Sequence, residues 1–139
     1  MEKGTSMNPH QKASRADTAP KNNLQEGKPQ PSLLPLDVLI KYVCPAYQEG
    51  LIKYDRESWR LGFNVSILID AAERHISKFW HEGEDWDADA EKLGIKKHHL
   101  AGAVFSLLSI LHTLDTRPEL DDRIKFAHPG GNIPPMPGS

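Results

Sequence analysis

Residues 64–80 read NVSILIDAAERHISKFW, and this stretch decides the fold class. Val65, Leu68, Ile69, Ala72, Ile76, Phe79 and Trp80 recur at three- and four-residue intervals, which is one stripe of an amphipathic helix. Asp70, Glu73, Arg74, Ser77 and His81 occupy the opposite face. Asn64 or Ser66 stands where a cap is needed, and Gly83 where the helix must stop. Downstream, 97–114 repeats the spacing with Leu100, Ala103, Val104, Leu107, Leu111 and Leu114, and Pro118 lies beyond its end. Upstream, Leu36, Leu39, Ile40, Val43 and Tyr47 follow helical spacing from just after Pro35. Pro45 predicts a break or kink there, with a second piece from Ala46 to about Asp55. No stretch alternates polar and apolar residues between turn signals at strand spacing. The predicted fold is all-α, a small helical bundle of three to four helices. In the last helix Phe105, Leu108 and Ile110 lie off the main stripe, leaving it apolar nearly all round. Burial by a second subunit is the economical answer, so a homo-oligomer is expected to complete the bundle.

Composition sets the boundaries. A chain of 139 residues suits one domain, and its hydrophobic share of 38% is low. Of eleven prolines, five precede residue 36, five follow residue 117, and only Pro45 lies between. Residues 1–30 contain one leucine and no β-branched aliphatic residue, too little to offset the entropy of ordering. The expected organisation is a disordered arm at 1–30, an all-α domain at 31–123, and a Pro/Gly-rich tail at 124–139. No apolar run approaches the ~20 residues of a membrane span, and no apolar signal segment opens the chain, so a cytoplasmic protein is expected. The single cysteine, Cys44, excludes an intrachain disulfide and a multi-cysteine zinc site. Seventeen Lys+Arg against nineteen Asp+Glu give −2 overall. Residues 31–115 alone carry −4, which lacks the footprint of a general nucleic-acid binder.

Four local patterns carry chemistry. GLIKYDRESWR, residues 50–60, sets Lys53, Tyr54, Trp59 and Arg60 close together, where a base could stack and phosphate could meet cations. The same residues also suit a helix end pinned by Tyr and Trp packing. DAAERH, residues 70–75, allows Asp70 and Arg74 to pair one turn apart and puts His75 beside the apolar stripe, where a histidine is usually a satisfied core residue. HEGEDWDADAE, residues 81–91, contains six acids and no base. Such a cluster repels a triphosphate unless a divalent cation sits between, and its hard oxygens suit Mg²⁺ or Mn²⁺; a solvated acidic loop is the commoner fate. KKHHLAGA, residues 96–103, places His98 and His99 at a helix N-terminus, where the dipole favours neutral imidazole.

Taken in order, LLP…KYDRESWR…DAAERH…GEDWD…HHLAGA…LDDR resembles a family of small phage and prophage proteins. The family is named for the N-terminal region of dATP/dGTP diphosphohydrolases. The resemblance runs from about Gly27 to Arg123. Matching positions are Lys53, Tyr54, Trp59, Arg60, Asp70, Arg74 and His75, then Gly83, Glu84, Asp87, His98, His99, Asp121, Asp122 and Arg123. Many relatives carry a further histidine three residues after the one matching His99, where this chain has Gly102.

The resemblance implies a nucleotide-phosphate hydrolase or an attached nucleotide-binding region of phage type, and together with the acidic cluster it leads to the expectation of a divalent-metal-dependent (deoxy)nucleoside triphosphate diphosphohydrolase in the bacterial host cytoplasm. His75, His99 and Glu84 are the expected catalytic residues. Glu84, Asp87 and His75 are expected to hold Mg²⁺ or Mn²⁺. Lys53, Tyr54, Trp59, Arg60 and Arg74 are expected to bind substrate. A protein that sequesters a nucleotide without cleaving it, or a structural helical oligomer, are the alternatives.

Overall fold

The computed structural model describes residues 27–124. The chain divides after Leu34 into two units. In the first, the described residues form a 3₁₀ turn over Pro31–Leu33, closed by bonds from Leu33 N–H to the Gln30 carbonyl and from Leu34 N–H to that of Pro31. The arm expected at 1–30 and the tail expected at 124–139 fall almost wholly outside the described residues.

The second unit is helical. The first helix, α1, is built from Leu36–Val38, a π-helical stretch at Leu39–Val43, and Cys44–Lys53. The break expected at Pro45 is not there: the chain runs through it. A proline offers no N–H and its ring collides with the carbonyl four residues earlier. The wider turn ahead of it, in which Cys44 N–H reaches back five residues to Leu39, absorbs both defects. A 3₁₀ turn at Ser58–Leu61 follows, then α2 at Val65–Trp80, a single turn α3 at Ala88–Glu91, and α4 at His99–Thr116. A last 3₁₀ turn covers Pro118–Leu120. Among the described residues there is no strand, so the all-α reading stands.

The principal packing is α2 against α4. Val65 and Leu68 meet Ile110, with Leu114 against them, and Ala72 continues the buried face. The stripe expected along α4 is buried only in part, at Ala103 and, against the core cluster, at Leu114. Ala101, Gly102, Ala103, Ser106, Ser109, Ile110 and Thr113 face inward, whereas Leu107, Leu108 and Leu111 remain 45%, 42% and 61% exposed. Small side chains let two helix backbones approach closely, and that geometry outranks hydrophobicity here. On α2, Ile69, Ile76 and Trp80 are likewise exposed.

The cap of α2 also differs from expectation. Asn64 occupies the N-cap position without a side-chain bond. Asp122 instead accepts from the Ser66 N–H at 2.9 Å and from the Ser66 hydroxyl, a contact spanning 56 residues. These bonds hold the Asp122 carboxyl below its ordinary range. Arg117 adds a bond to the Leu61 carbonyl at 2.9 Å, and Gly62, at φ +91°, admits Leu120 and Arg117 where a Cβ would crowd both. The segment after α4 therefore clasps the start of α2. At the other end of α2, Gly83 takes a left-handed φ of 67°, as its stop role requires.

One polar tie links α1, the loop before α3 and the approach to α4. Lys97 Nζ lies 2.6 Å from Glu49 Oε1 and 3.1 Å from Asp87 Oδ2, with side-chain exposures of 9%, 7% and 10%. Removing the cation would strip buried Asp87 of its ion partner and leave buried Glu49 with Lys53 alone, at 3.6 Å. Lys97→Met should therefore cost about 3–5 kcal/mol in urea unfolding. Lys92→Met, at an exposed pair with Asp89, should change stability by less than about 1 kcal/mol. Equal, small effects would show that the buried tie does not hold the fold.

Candidate functional site

Two backbone bonds build the site. Asp87 N–H donates to the Lys97 carbonyl and His99 N–H to the Asp85 carbonyl, both at 2.8 Å, flanking an antiparallel bridge between Trp86 and His98. Neighbouring side chains of extended backbone point to opposite sides. Trp86 and His98 therefore share one side, with ring centroids 5.3 Å apart. Asp87, Lys97 and His99 share the other. This alternation separates the two adjacent histidines. His98 turns away and caps α4, its Nδ1 accepting from Leu100 N–H at 3.0 Å, while His99 is buried on the Asp87 side.

From α2, His75 meets His99 across the helix pair, Nδ1 to Nδ1 at 3.0 Å. The other His99 nitrogen, Nε2, lies 3.1 Å from Glu84 Oε1. If Nε2–H donates to the Glu84 carboxylate, His99 Nδ1 carries a lone pair aimed at His75. His75 is held below its ordinary titration range, first by burial and then by the Lys97 charge. It is therefore a neutral imidazole near pH 7. Asp87 is pushed up by burial, but the Lys97 hydrogen bond and charge, with backbone N–H groups of Asp89 and Ala90, outweigh that and keep it ionised.

One ligand atom each from His75, Asp87 and His99 fall within 4.8 Å of one another, a set that could hold a metal ion. They line a cleft of about 350 Å³ together with Arg74, Lys78 and Glu84. Arg74 does not pair with Asp70; among the described residues it makes no ion pair and offers the cleft a free guanidinium. Lys78 pairs with Glu82 at 3.1 Å.

The structure thus brings together His75, His99, Glu84, Asp87 and Arg74 from the sequence-predicted residues. It separates the remaining four. Lys53 pairs with Glu49 at 3.6 Å, and Tyr54 is exposed. Trp59 packs edge-on against Tyr47, Phe105 and His112, with Arg60 over its ring and bonded to Glu57. None of the four lines the cleft. Lys97, Glu49 and Lys78 were not singled out by sequence. Lys97 and Glu49 are 48 residues apart, and nothing local marks either as buried.

Gly102 acquires a structural reason. A Cβ there would lie 2.6 Å from His75 Nε2 and within 2.9 Å of two further ring atoms. A side chain at position 102 would therefore have to displace the His75 ring from this position.

The family described as dATP/dGTP diphosphohydrolase, N-terminal, matches the chain over residues 18–123. The chain belongs to this family. The match begins within the stretch read from composition as an arm. No curated protein and no solved structure matches the chain.

The depressed His75 titration has a stability consequence. A histidine that binds its proton less readily when folded than at its ordinary 6.5 favours the folded state above that value. That contribution declines as the pH falls through 6.5 toward the folded value. Urea midpoints taken from about pH 8 to about pH 5 should fall with acidity, and His75→Gln should flatten the slope. An unchanged slope in the variant would mean that His75 is not desolvated.

Proposed function

We propose that this member of the family is a divalent-metal-dependent (deoxy)nucleoside triphosphate diphosphohydrolase acting in the His75–Asp87–His99 cleft. The observation that carries the reading is the convergence of two imidazole nitrogens and an ionised carboxylate beside an arginine that makes no ion pair among the described residues. The family description, which names dATP and dGTP, supports the substrate class. The reaction adds water across the α–β phosphoanhydride bond, giving a nucleoside monophosphate and inorganic diphosphate.

The donor set fits a cation. His75 and Asp87, as sequence suggested, and His99 would hold it, with Glu84 bonded behind His99. Two imidazoles and one carboxylate weigh toward Mn²⁺ over the oxygen-preferring Mg²⁺. The ion would supply charge neutralisation at phosphate oxygens and a more acidic water. The chain's own residues do the rest. Arg74 meets phosphate as a forked donor, and Lys78 adds a second cation. Glu84 keeps one carboxylate oxygen beyond its His99 bond and can accept a proton from the attacking water. Lys97 orients Asp87 and keeps it ionised. Because Lys53, Tyr54, Trp59 and Arg60 lie off this cleft, no phosphate contact is assigned to them.

One observation favours capture without cleavage. Both Asp87 oxygens are already engaged, Oδ1 by Asp89 N–H and Oδ2 by Lys97. A built-in ammonium could then stand where an ion is proposed. Incubation with dATP and dGTP in Mn²⁺, Mg²⁺ or chelator separates the readings. Hydrolysis predicts monophosphate and diphosphate only with metal, and Asp87→Asn should cut turnover by about 10²-fold or more while binding survives. Glu49 remains to balance Lys97 in that variant. Intact bound nucleotide with no product would establish capture instead, and turnover indifferent to chelator and to Asp87→Asn would remove the metal.

Self-association is proposed with it, supported by the exposed Leu107, Leu108 and Leu111 on one side of α4. Light scattering should give a mass above the 15.6 kDa of one chain, and Leu108→Asp should lower it. A monodisperse monomer at micromolar concentration would exclude this.

A further inference from the structure

The side of the Trp86–His98 bridge facing away from the metal-type cleft carries a second concavity. Its volume is about 400 Å³, within the range of small-molecule sites. Lys41, Tyr42 and Pro45 from α1 line it, facing Trp86, Ile95 and Lys96. The Tyr42 and Trp86 rings are within 22° of parallel, with centroids 6.4 Å apart. His98 fixes them from below, edge-on to Tyr42 at 6.0 Å and to Trp86 at 5.3 Å.

The charges are arranged unusually. Lys41 Nζ lies 5.2 Å from the Tyr42 ring centre, and Lys96 Nζ lies 4.6 Å from that of Trp86. Neither ammonium has a carboxylate partner among the described residues, in a chain whose net charge is −2. An exposed ammonium resting on an aromatic face is held more weakly than one bonded to phosphate. Two such cations at the rim of a cleft lined by a near-parallel aromatic pair match a ligand with a planar ring and an anionic group.

We propose that the Tyr42–Trp86 cleft binds a nucleoside phosphate, its base stacked on the aromatic pair and its phosphate taken by Lys41 and Lys96. The bridge backbone lies between this cleft and the His75–Asp87–His99 cleft, because Trp86 and Asp87 project to opposite sides of it. The two clefts therefore hold separate ligands. This second site does not rest on the hydrolytic reading of the first.

The test is a tryptophan fluorescence titration of the full chain in chelator, so that no divalent ion serves the other cleft. The probes are deoxyguanosine monophosphate, deoxyguanosine and inorganic phosphate. The monophosphate should quench saturably, and the nucleoside and the phosphate alone should each bind at least about tenfold more weakly. Lys41→Ala and Lys96→Ala, both at exposed positions that leave the core intact, should each weaken the monophosphate by about tenfold. Lys92→Ala, at an exposed position that lines neither cleft, should leave the quench unchanged. Absence of saturable quenching would overturn the proposal. So would quenching that survives both lysine variants but is lost in Arg74→Ala, because the nucleotide would then sit in the first cleft. Nucleoside binding as tight as monophosphate binding would overturn the role of the lysines.

Discussion

Lys97 is the constraint on which the site depends. Its ammonium is buried between Glu49 of α1 and Asp87 of the loop before α3. A buried charge is tolerated only when paired and hydrogen-bonded, so the three elements must meet in one arrangement. That arrangement fixes the register of the 85–87 and 97–99 segments. The register in turn sends Asp87 and His99 to one side and Trp86 and His98 to the other. A small ion cluster thus does for a short helical chain what a sheet does in a larger protein: it gives neighbouring residues opposite directions.

The second constraint is closeness. His75 can reach His99 Nδ1 at 3.0 Å because α4 presents Gly102 under the imidazole. Small residues along α4 bring the helices together, and the histidine pair uses the same approach. Packing and chemistry therefore share one cause. The cost is that the large leucines of α4 stay outside, where a second copy of the chain could cover them.

What could be read from the sequence follows from how local each signal is. The position and length of α2 were legible, because its periodicity and its glycine stop lie within twenty residues. His75, His99, Glu84, Asp87 and Arg74 were legible as candidates because they sit in dense local patterns. Their geometry was not. The cap on Ser66 comes from Asp122, and the partner of Lys97 from Glu49, and neither distance leaves a local trace. The buried face of α4 was only partly legible, because hydrophobicity ranks leucine above serine and glycine, whereas close helix packing ranks them the other way. Lys53, Tyr54, Trp59 and Arg60 are adjacent in sequence and looked like a binding patch, but Trp59 and Arg60 spend their contacts on Tyr47, Phe105, His112 and Glu57. Gly102, which stands where the resemblance places a further histidine, lies so close under the His75 ring that a Cβ there would crowd it, and that contact leaves no local trace either.

The central claim is that His75, Asp87 and His99 form one cation-binding centre in which the two imidazoles face each other. Paramagnetic broadening tests it directly, by following the histidine ring signals in proton NMR as Mn²⁺ is added below one equivalent. The account predicts that the His75 and His99 signals broaden first and together, while those of His81 and His112 persist, and that Asp87→Asn weakens the effect. Broadening that begins at His81, beside the exposed acidic loop, or that spreads evenly over all the histidines, would contradict it.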